Sequence, residues 1–250
     1  MDSPKVTFLV PVYNTREDWL KTALNGLVNQ SYPNVDVCVG DNGSTQASTC
    51  RVLAQFEEAG KIRVEWMPTD SPKGTAYALD AALSITDPDT AWFAKADSDD
   101  FFARDWIKRR MEAAERLPPE VAIVYDNFLM MNYSPRPHLQ PVILHPYDYR
   151  RLVEDSYIPG PSMYRASVYE KIPRTYVYEG YEGKANRHGE DYAHWLSITD
   201  RFDAFWVDCD PSTTWCYRFQ PKGKYLSDRK GVDYAKALLQ QRAKERRGLA

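Results

Sequence analysis

The chain has 250 residues, carries a formal charge of −3 and is 43% hydrophobic and 13% aromatic. That length holds one large domain or two small ones, and the apolar content fills a sizeable core. The acidic balance argues against a general nucleic-acid binder, and no run of 18 apolar residues marks a transmembrane helix.

The opening Met1-Asp2-Ser3-Pro4-Lys5 has neither the basic start nor the apolar core of a secretory signal. The four cysteines, Cys38, Cys50, Cys209 and Cys216, have no C-x-x-C spacing. Free thiols in a reducing cytosol are expected, hence a cytoplasmic chain, soluble or peripheral. Charge is uneven: Arg218 to Ala250 holds ten Lys/Arg against three Asp/Glu, which leaves −10 for the remainder. Such a basic tail suits an anionic partner.

In chain order, Lys5 to Val12 is apolar and β-branched and predicts a buried strand. Arg16 to Gln30 places Trp19, Leu20, Ala23, Leu24, Leu27 and Val28 at helical spacing. Val35 to Gly40, Lys61 to Met67, Thr90 to Lys95 and Val121 to Met131 read as further strands. Helices are predicted over Gln46 to Ala59, Lys73 to Ser84 and Arg104 to Leu117. Strands alternating with helices predict an α/β fold, a mostly parallel sheet with helices on both faces. In such sheets ligands bind beyond the carboxyl ends of the strands. Tyr13-Asn14, Asp41-Asn42 and Asp97-Ser98-Asp99 all fall at strand ends.

Pro135, Pro137, Pro141 and Pro146 make Asn132 to Pro146 an irregular connection and the expected internal boundary. Tyr157 to Ser162 reads as a loop, followed by a short helix or turn through Lys171, and Arg174 to His188 as another loop. Glu190 to Asp200 is helical, Ala204 to Asp208 and Thr213 to Phe219 are strands, and Gly231 to about Arg247 is a basic amphipathic helix. That last helix has two readings: a solvated helix packed on the domain, or a weak contact with an anionic surface.

Three carboxylates crowd into Asp97-Ser98-Asp99-Asp100, directly after an apolar strand. If the segment stays extended, Asp97 and Asp99 point the same way with Cα atoms about 6.6 Å apart. Carboxylates that close repel one another, and a hard divalent cation, Mg2+ or Mn2+, relieves the repulsion. The alternative is a solvated acidic turn leading into the next helix, with Asp100 at its cap.

The series Phe8-Leu9-Val10-Pro11-Val12-Tyr13-Asn14, Gly40-Asp41-Asn42-Gly43-Ser44, Asp97-Ser98-Asp99-Asp100 and Gly189-Glu190-Asp191-Tyr192 resembles a family 2 glycosyltransferase of the GT-A fold, over roughly residues 5 to 220. The resemblance implies an inverting transfer of a sugar from a nucleotide-diphosphate donor, UDP-type, with Mn2+ or Mg2+. It implies donor contacts at Pro11, Val12, Tyr13, Asn14, Asp41, Lys73, Gly74, Asp97, Ser98 and Arg218. It implies metal ligation by Asp97 and Asp99, and acceptor contacts at Gly160, Pro161, Ser162 and Glu190. Asp191 is the candidate general base, since inversion needs a carboxylate to take the acceptor's hydroxyl proton. Two departures stand out: Asn42 replaces a second acid common there, and Gln220 replaces a histidine after Arg218.

The expected organisation is one domain: a donor half (1–131), an acceptor half (132–220) and a basic loop and helix (221–250). The acceptor class, saccharide, lipid-linked sugar, protein or modified nucleic acid, is open, as is the oligomeric state. Two other functions compete. A sugar-nucleotide pyrophosphorylase wants a Gly-rich, Arg-containing loop after the first strand, which Val12-Tyr13-Asn14-Thr15 lacks. The other is a catalytically inactive nucleotide-sugar binding or scaffold protein, against which the retention of Asp97, Asp99 and Asp191 argues.

Overall fold

The computed structural model describes residues 3–70, 73–132, 136–177 and 189–219, with 240, 241 and 245. The first half is built as the periodicity predicts. β1 (Lys5–Val12) leads to α1 (Glu17–Val28), β2 (Val35–Asp41), α2 (Ala47–Glu58), β3 (Arg63–Trp66), α3 (Thr75–Ser84) and β4 (Thr90–Lys95). β1 is buried along all but its first residue, as a strand covered on both faces should be. α1 turns Leu20, Ala23, Leu24 and Leu27 inward. Each such leucine contributes about 1.5–3 kcal/mol by leaving water. Its first turn carries Glu17 and Asp18, favourable at a helix N-terminus. α3 lies so close to β2 that a Cβ on Gly40 would fall 1.8 Å from the Ala78 carbonyl oxygen.

The second half runs β5 (Phe101–Phe102), α4 (Trp106–Ala114), β6 (Val121–Asp126), β7 (Phe128–Asn132), β8 (His138–Val142), α5 (Tyr149–Glu154), β9 (Met163–Arg165), α6 (Glu190–Thr199), β10 (Asp203–Val207) and β11 (Trp215–Phe219). Among the described residues the main sheet has the order β10-β6-β9-β4-β1-β2-β3. All its pairs are parallel except those of β9, which runs antiparallel between β4 and β6. A second sheet, β5-β11-β7-β8, stands beyond the main one.

Four features depart from the sequence reading. Residues 121–131 form two strands in different sheets, not one. The break is Asn127, whose side chain accepts from Leu144 N and Trp206 Nε1 and donates to the Cys209 carbonyl. The proline-rich connection holds β8, an edge strand in which Pro141 can lie opposite Leu129 without disrupting a central ladder. β9 is too short to show a period, yet it fills the middle of the sheet. β5 and α5 were not expected at all.

The acid segment is a turn, not an extension of β4: Asp100 N donates to the Asp97 carbonyl. Strand alternation therefore does not govern Asp97 and Asp99. Asp100 does not cap α4, whose cap position is Asp105. It is fully buried and accepts from Arg218 N at 2.9 Å.

Gln220, which stands where the family histidine is expected, the basic loop after it and most of the predicted terminal helix lie outside the described residues. Gln240, which is described, donates to the Glu154 carbonyl at 2.7 Å. Among the described residues no helix is long and apolar enough to cross a membrane.

Candidate active site

The carboxyl ends of β1, β2 and β4 carry the motifs singled out in the sequence. Pro11 and Val12 are buried at the end of β1, and Val12 O accepts from Asn42 N at 2.8 Å. Tyr13 then emerges 44% exposed. Asn14 takes φ 50°, in the left-handed region that asparagine tolerates better than most residues. Its side-chain oxygen accepts from Thr45 N and Gln46 N, so it joins the β1 loop to the start of α2.

Asp41 is buried at the end of β2. Its Oδ2 accepts from Ser44 N at 2.8 Å, while Oδ1 has no hydrogen-bond partner among the described residues. A buried carboxylate oxygen left open costs free energy unless a ligand fills it, so this atom is a ready acceptor for an N–H. Asn42 Oδ1 accepts from the backbone of Lys73 and Gly74, which draws that segment over the β2 end. Lys73 reaches outward, its Nζ 5.6 Å from the centre of the Tyr77 ring.

The acid turn is pinned from two sides. Ser98, mostly buried, is hydrogen-bonded to Thr15 at 2.7 Å. Arg218 on β11 donates through Nε to the Asp99 carbonyl at 2.6 Å, and its guanidinium lies over Phe101 and Trp19. Burial, then the charge of Asp97, pushes the Asp99 carboxyl up to about 6. Arg218 and Lys95 pull it in the opposite direction.

The centre of the site is a lysine that sequence reasoning missed. Lys95, the last residue of β4, is fully buried, and its ammonium lies 2.8 Å from Asp97 Oδ1. The same ammonium lies 3.0 Å from Asp191 Oδ1 and 3.1 Å from Oδ2, donating its hydrogen bond to Oδ2. Burial works against the charge on Lys95. Asp191, Asp97 and Glu190 nevertheless hold its pKa well above the ordinary lysine value. Asp191 is drawn upward by burial, downward by Lys95 and upward again by Asp97. Glu190 beside it is pushed up to about 8, by burial first and then by the charge of Asp191. The signal was present in the sequence: a lone lysine inside Ala91-Trp92-Phe93-Ala94-Lys95-Ala96, where strand burial leaves no solvent for a charge.

Gly160 supplies the space. A Cβ there would fall 2.6 Å from Asp191 Oδ2 and 2.9 Å from Lys95 Nζ. Pro161 and Ser162 are buried. Ser162 Oγ donates to the Pro159 carbonyl, and Arg110 Nη2 donates to the Pro161 carbonyl at 2.8 Å. Arg110 is itself paired with Asp126 in the core. This loop is therefore a rigid wall behind Asp191. Glu190 and Asp191 open α6 after Gly189, whose φ of 92° suits glycine.

Asp97 and Asp99 offer hard carboxylate oxygens suited to Mg2+ or Mn2+. Among the described residues, no group of three or more His, Cys, Asp or Glu is arranged to hold a metal. The remaining ligands would be diphosphate and water, a usual arrangement for Mg2+.

The mostly parallel sheet flanked by helices, with the acid turn after β4, is the GT-A fold. The family described as Glycosyl transferase family 2 matches residues 7–173, and the chain belongs to it. An uncharacterized glycosyltransferase of Haemophilus influenzae is 30% identical over 111 residues, 44% of this chain and 42% of the relative. Glycosyltransferase GlyA of Streptococcus pneumoniae is 27% identical over 130 residues, 52% of this chain and 18% of the relative. The chain thus spans less than half the length of these curated relatives. The structure of S. aureus TarS 1-349 in complex with UDP-GlcNAc superposes with a TM-score of 0.67 at 16% identity. That match covers 94% of this chain and 65% of the other.

Proposed function

We propose that this chain is a metal-dependent, inverting glycosyltransferase that moves a sugar from a nucleotide-diphosphate donor, UDP-type, to an acceptor hydroxyl. The observation that carries the reading is the junction of Asp97 and Asp191 through one buried ammonium. It brings the proposed donor-side acid and the proposed base into a single cluster.

The open Oδ1 of Asp41 accepts the imide N–H of a uracil, with Tyr13 and the Lys73-Gly74 segment beside the base and ribose. A match to a fold captured with UDP-GlcNAc supports the same donor class. Asp97 and Asp99 would hold Mn2+ or Mg2+, which when bound would supply Lewis-acid neutralisation of the departing diphosphate. Arg218 keeps the acid turn in place and adds positive charge beside it. On the other side Asp191 accepts the proton of the acceptor hydroxyl. That oxygen bonds to the anomeric carbon as the bond from that carbon to the diphosphate oxygen breaks, with inversion. Glu190, held largely protonated at neutral pH, offers the acceptor a donor as well as an acceptor atom.

Residues 1–131 form the donor half and 132–220 the acceptor half of one domain, with 221–250 as a basic appendage. The acceptor is a saccharide, lipid-linked sugar, protein or modified nucleic acid. The test is UDP release from UDP-GlcNAc with and without Mn2+, beside Asp191→Asn. The expected result is metal-dependent turnover that falls by about 10²–10⁴ in the variant while UDP still binds. Equal inertness of both proteins, with UDP bound by each, favours the scaffold reading instead.

A further inference from the structure

We propose that Lys95 is a positioning residue whose buried ammonium locks the donor-side Asp97 and the acceptor-side Asp191 into one fixed geometry, with Gly160 as the gap that lets the lock close. The inference rests on the glycosyltransferase reading of the site. It assigns to Lys95 a role that neither the donor contacts nor the base requires by itself.

Three observations carry it. Lys95 has 2% of its side chain exposed, so its charge is out of reach of water and has to be answered by protein. The partners that answer it come from separate elements: Asp97 from the turn after β4, and Asp191 from the first turn of α6, 96 residues along the chain from Lys95. The ammonium also grips both carboxylate oxygens of Asp191, Oδ1 at 3.0 Å and Oδ2 at 3.1 Å. Rotation of the carboxylate is therefore restrained by the ammonium behind it.

Gly160 gives the lock its tolerance. The wall formed by 159–162 is held by Ser162 and, through Pro161, by the buried Arg110. Nothing larger than hydrogen fits at 160 while Lys95 and Asp191 touch. The nearest atoms a methyl group there meets are the side-chain ends of Asp191 and Lys95. It displaces the pair without removing either charge and without a clash against backbone. A displacement of about 1 Å in a reacting group costs on the order of 10²-fold in rate.

The experiment uses the full chain, UDP-GlcNAc and Mn2+, with UDP release as the readout. Lys95→Met, Gly160→Ala, Asp191→Asn and the double variant Lys95→Met/Asp191→Asn are compared. Lys95→Met is expected to lower kcat by roughly 10²-fold with donor KM changed less than about threefold, and Gly160→Ala to lower kcat by about tenfold or more. Because part of the Lys95 effect passes through Asp191, the loss in the double variant is clearly smaller than the product of the two single losses. Losses that multiply in the double variant overturn the proposal. So does a rise in donor KM at unchanged kcat in Lys95→Met, which would make the lysine a donor contact only. If the wild-type chain releases no UDP, the functional reading fails separately. The lock is then judged by thermal unfolding of the same four variants, where strictly additive shifts for Lys95 and Asp191 overturn it.

Discussion

Arg218 and Asp99 are joined through main chain as well as through charge: the Arg218 Nε donates to the Asp99 carbonyl oxygen at 2.6 Å, and the guanidinium draws the Asp99 carboxyl downward. The backbone N–H of Arg218 meanwhile serves the buried carboxylate of Asp100. The last strand of the second sheet thus closes the acid turn that follows the fourth strand of the first.

Arg218→Lys keeps the charge but loses the planar fork and the stack over Phe101 and Trp19, 4.1 and 4.8 Å from the guanidinium carbon. A flexible ammonium cannot replace both contacts. The expected outcome is a loss of about 1–2 kcal/mol in unfolding free energy, together with weaker Mn2+ binding in the presence of UDP. Calorimetry and denaturant titration read the two effects. Unchanged Mn2+ affinity would mean that the turn holds its shape without Arg218.

Asp41→Asn tests base recognition. The Asp41 Oδ2 bond to Ser44 N can be kept by the amide oxygen, which leaves an NH2 group where Oδ1 was open. Two N–H groups then face each other if the base is uracil, whereas cytosine presents an acceptor at the same ring position. UDP affinity should fall by about 10–100-fold, the loss of a charge-assisted hydrogen bond of ~1.5–3 kcal/mol, and CDP should gain relative to UDP. Parallel titrations with UDP and CDP decide it, and equal losses for both nucleotides would place the base elsewhere.

Much of this could be read before any coordinates. β1 and β4 are continuous apolar runs with polar ends, and α6 opens at a glycine followed by two acids, so their type and bounds were legible. What was not legible depends on contacts distant in sequence. Lys95 reads as a strand-end charge until Asp191 is brought against it. Pro161 and Ser162 read as loop surface until Arg110 and β9 bury them. The second sheet escaped because β5 has two residues and β8 contains a proline, and neither carries a period. Asp100 looked like a helix cap because local carboxylates usually are; only β11 shows that its partner is Arg218 N.

Asp99 predicts a pH dependence. Its pKa is raised from 3.8 to about 6, by burial and then by Asp97, so the folded chain holds this proton more tightly than the unfolded chain. Metal-free stability from this group is fully present below pH 3.8 and is lost as pH rises through about 6. A cation competes with the same proton. Mn2+ affinity should therefore rise by about tenfold per pH unit below pH 6 and level off above it. Asp99→Asn should remove the pH dependence along with most of the affinity. Mn2+ titrations between pH 5 and 8 measure this, and a flat profile in the wild-type chain would remove Asp99 from the metal site.

His194 predicts the acid limb of stability. It is fully buried on α6, stacked on Tyr176 with ring centres 4.0 Å apart, and packed near Tyr164 and Trp195. Burial lowers its pKa from 6.5 to about 3. The folded chain thus keeps the ring neutral while the unfolded chain protonates it. Its stabilising contribution is complete above pH 6.5 and is lost as pH falls towards 3. One proton taken up on unfolding is worth about 1.4 kcal/mol per pH unit. His194→Phe preserves the aromatic stack and removes the proton. Whatever its offset in stability at neutral pH, the gap between the two proteins should change by about 1.4 kcal/mol per unit between pH 6 and 4, in favour of the variant. Denaturant unfolding at a series of pH values gives that slope directly. Parallel curves would mean that the buried ring finds a partner for its charge.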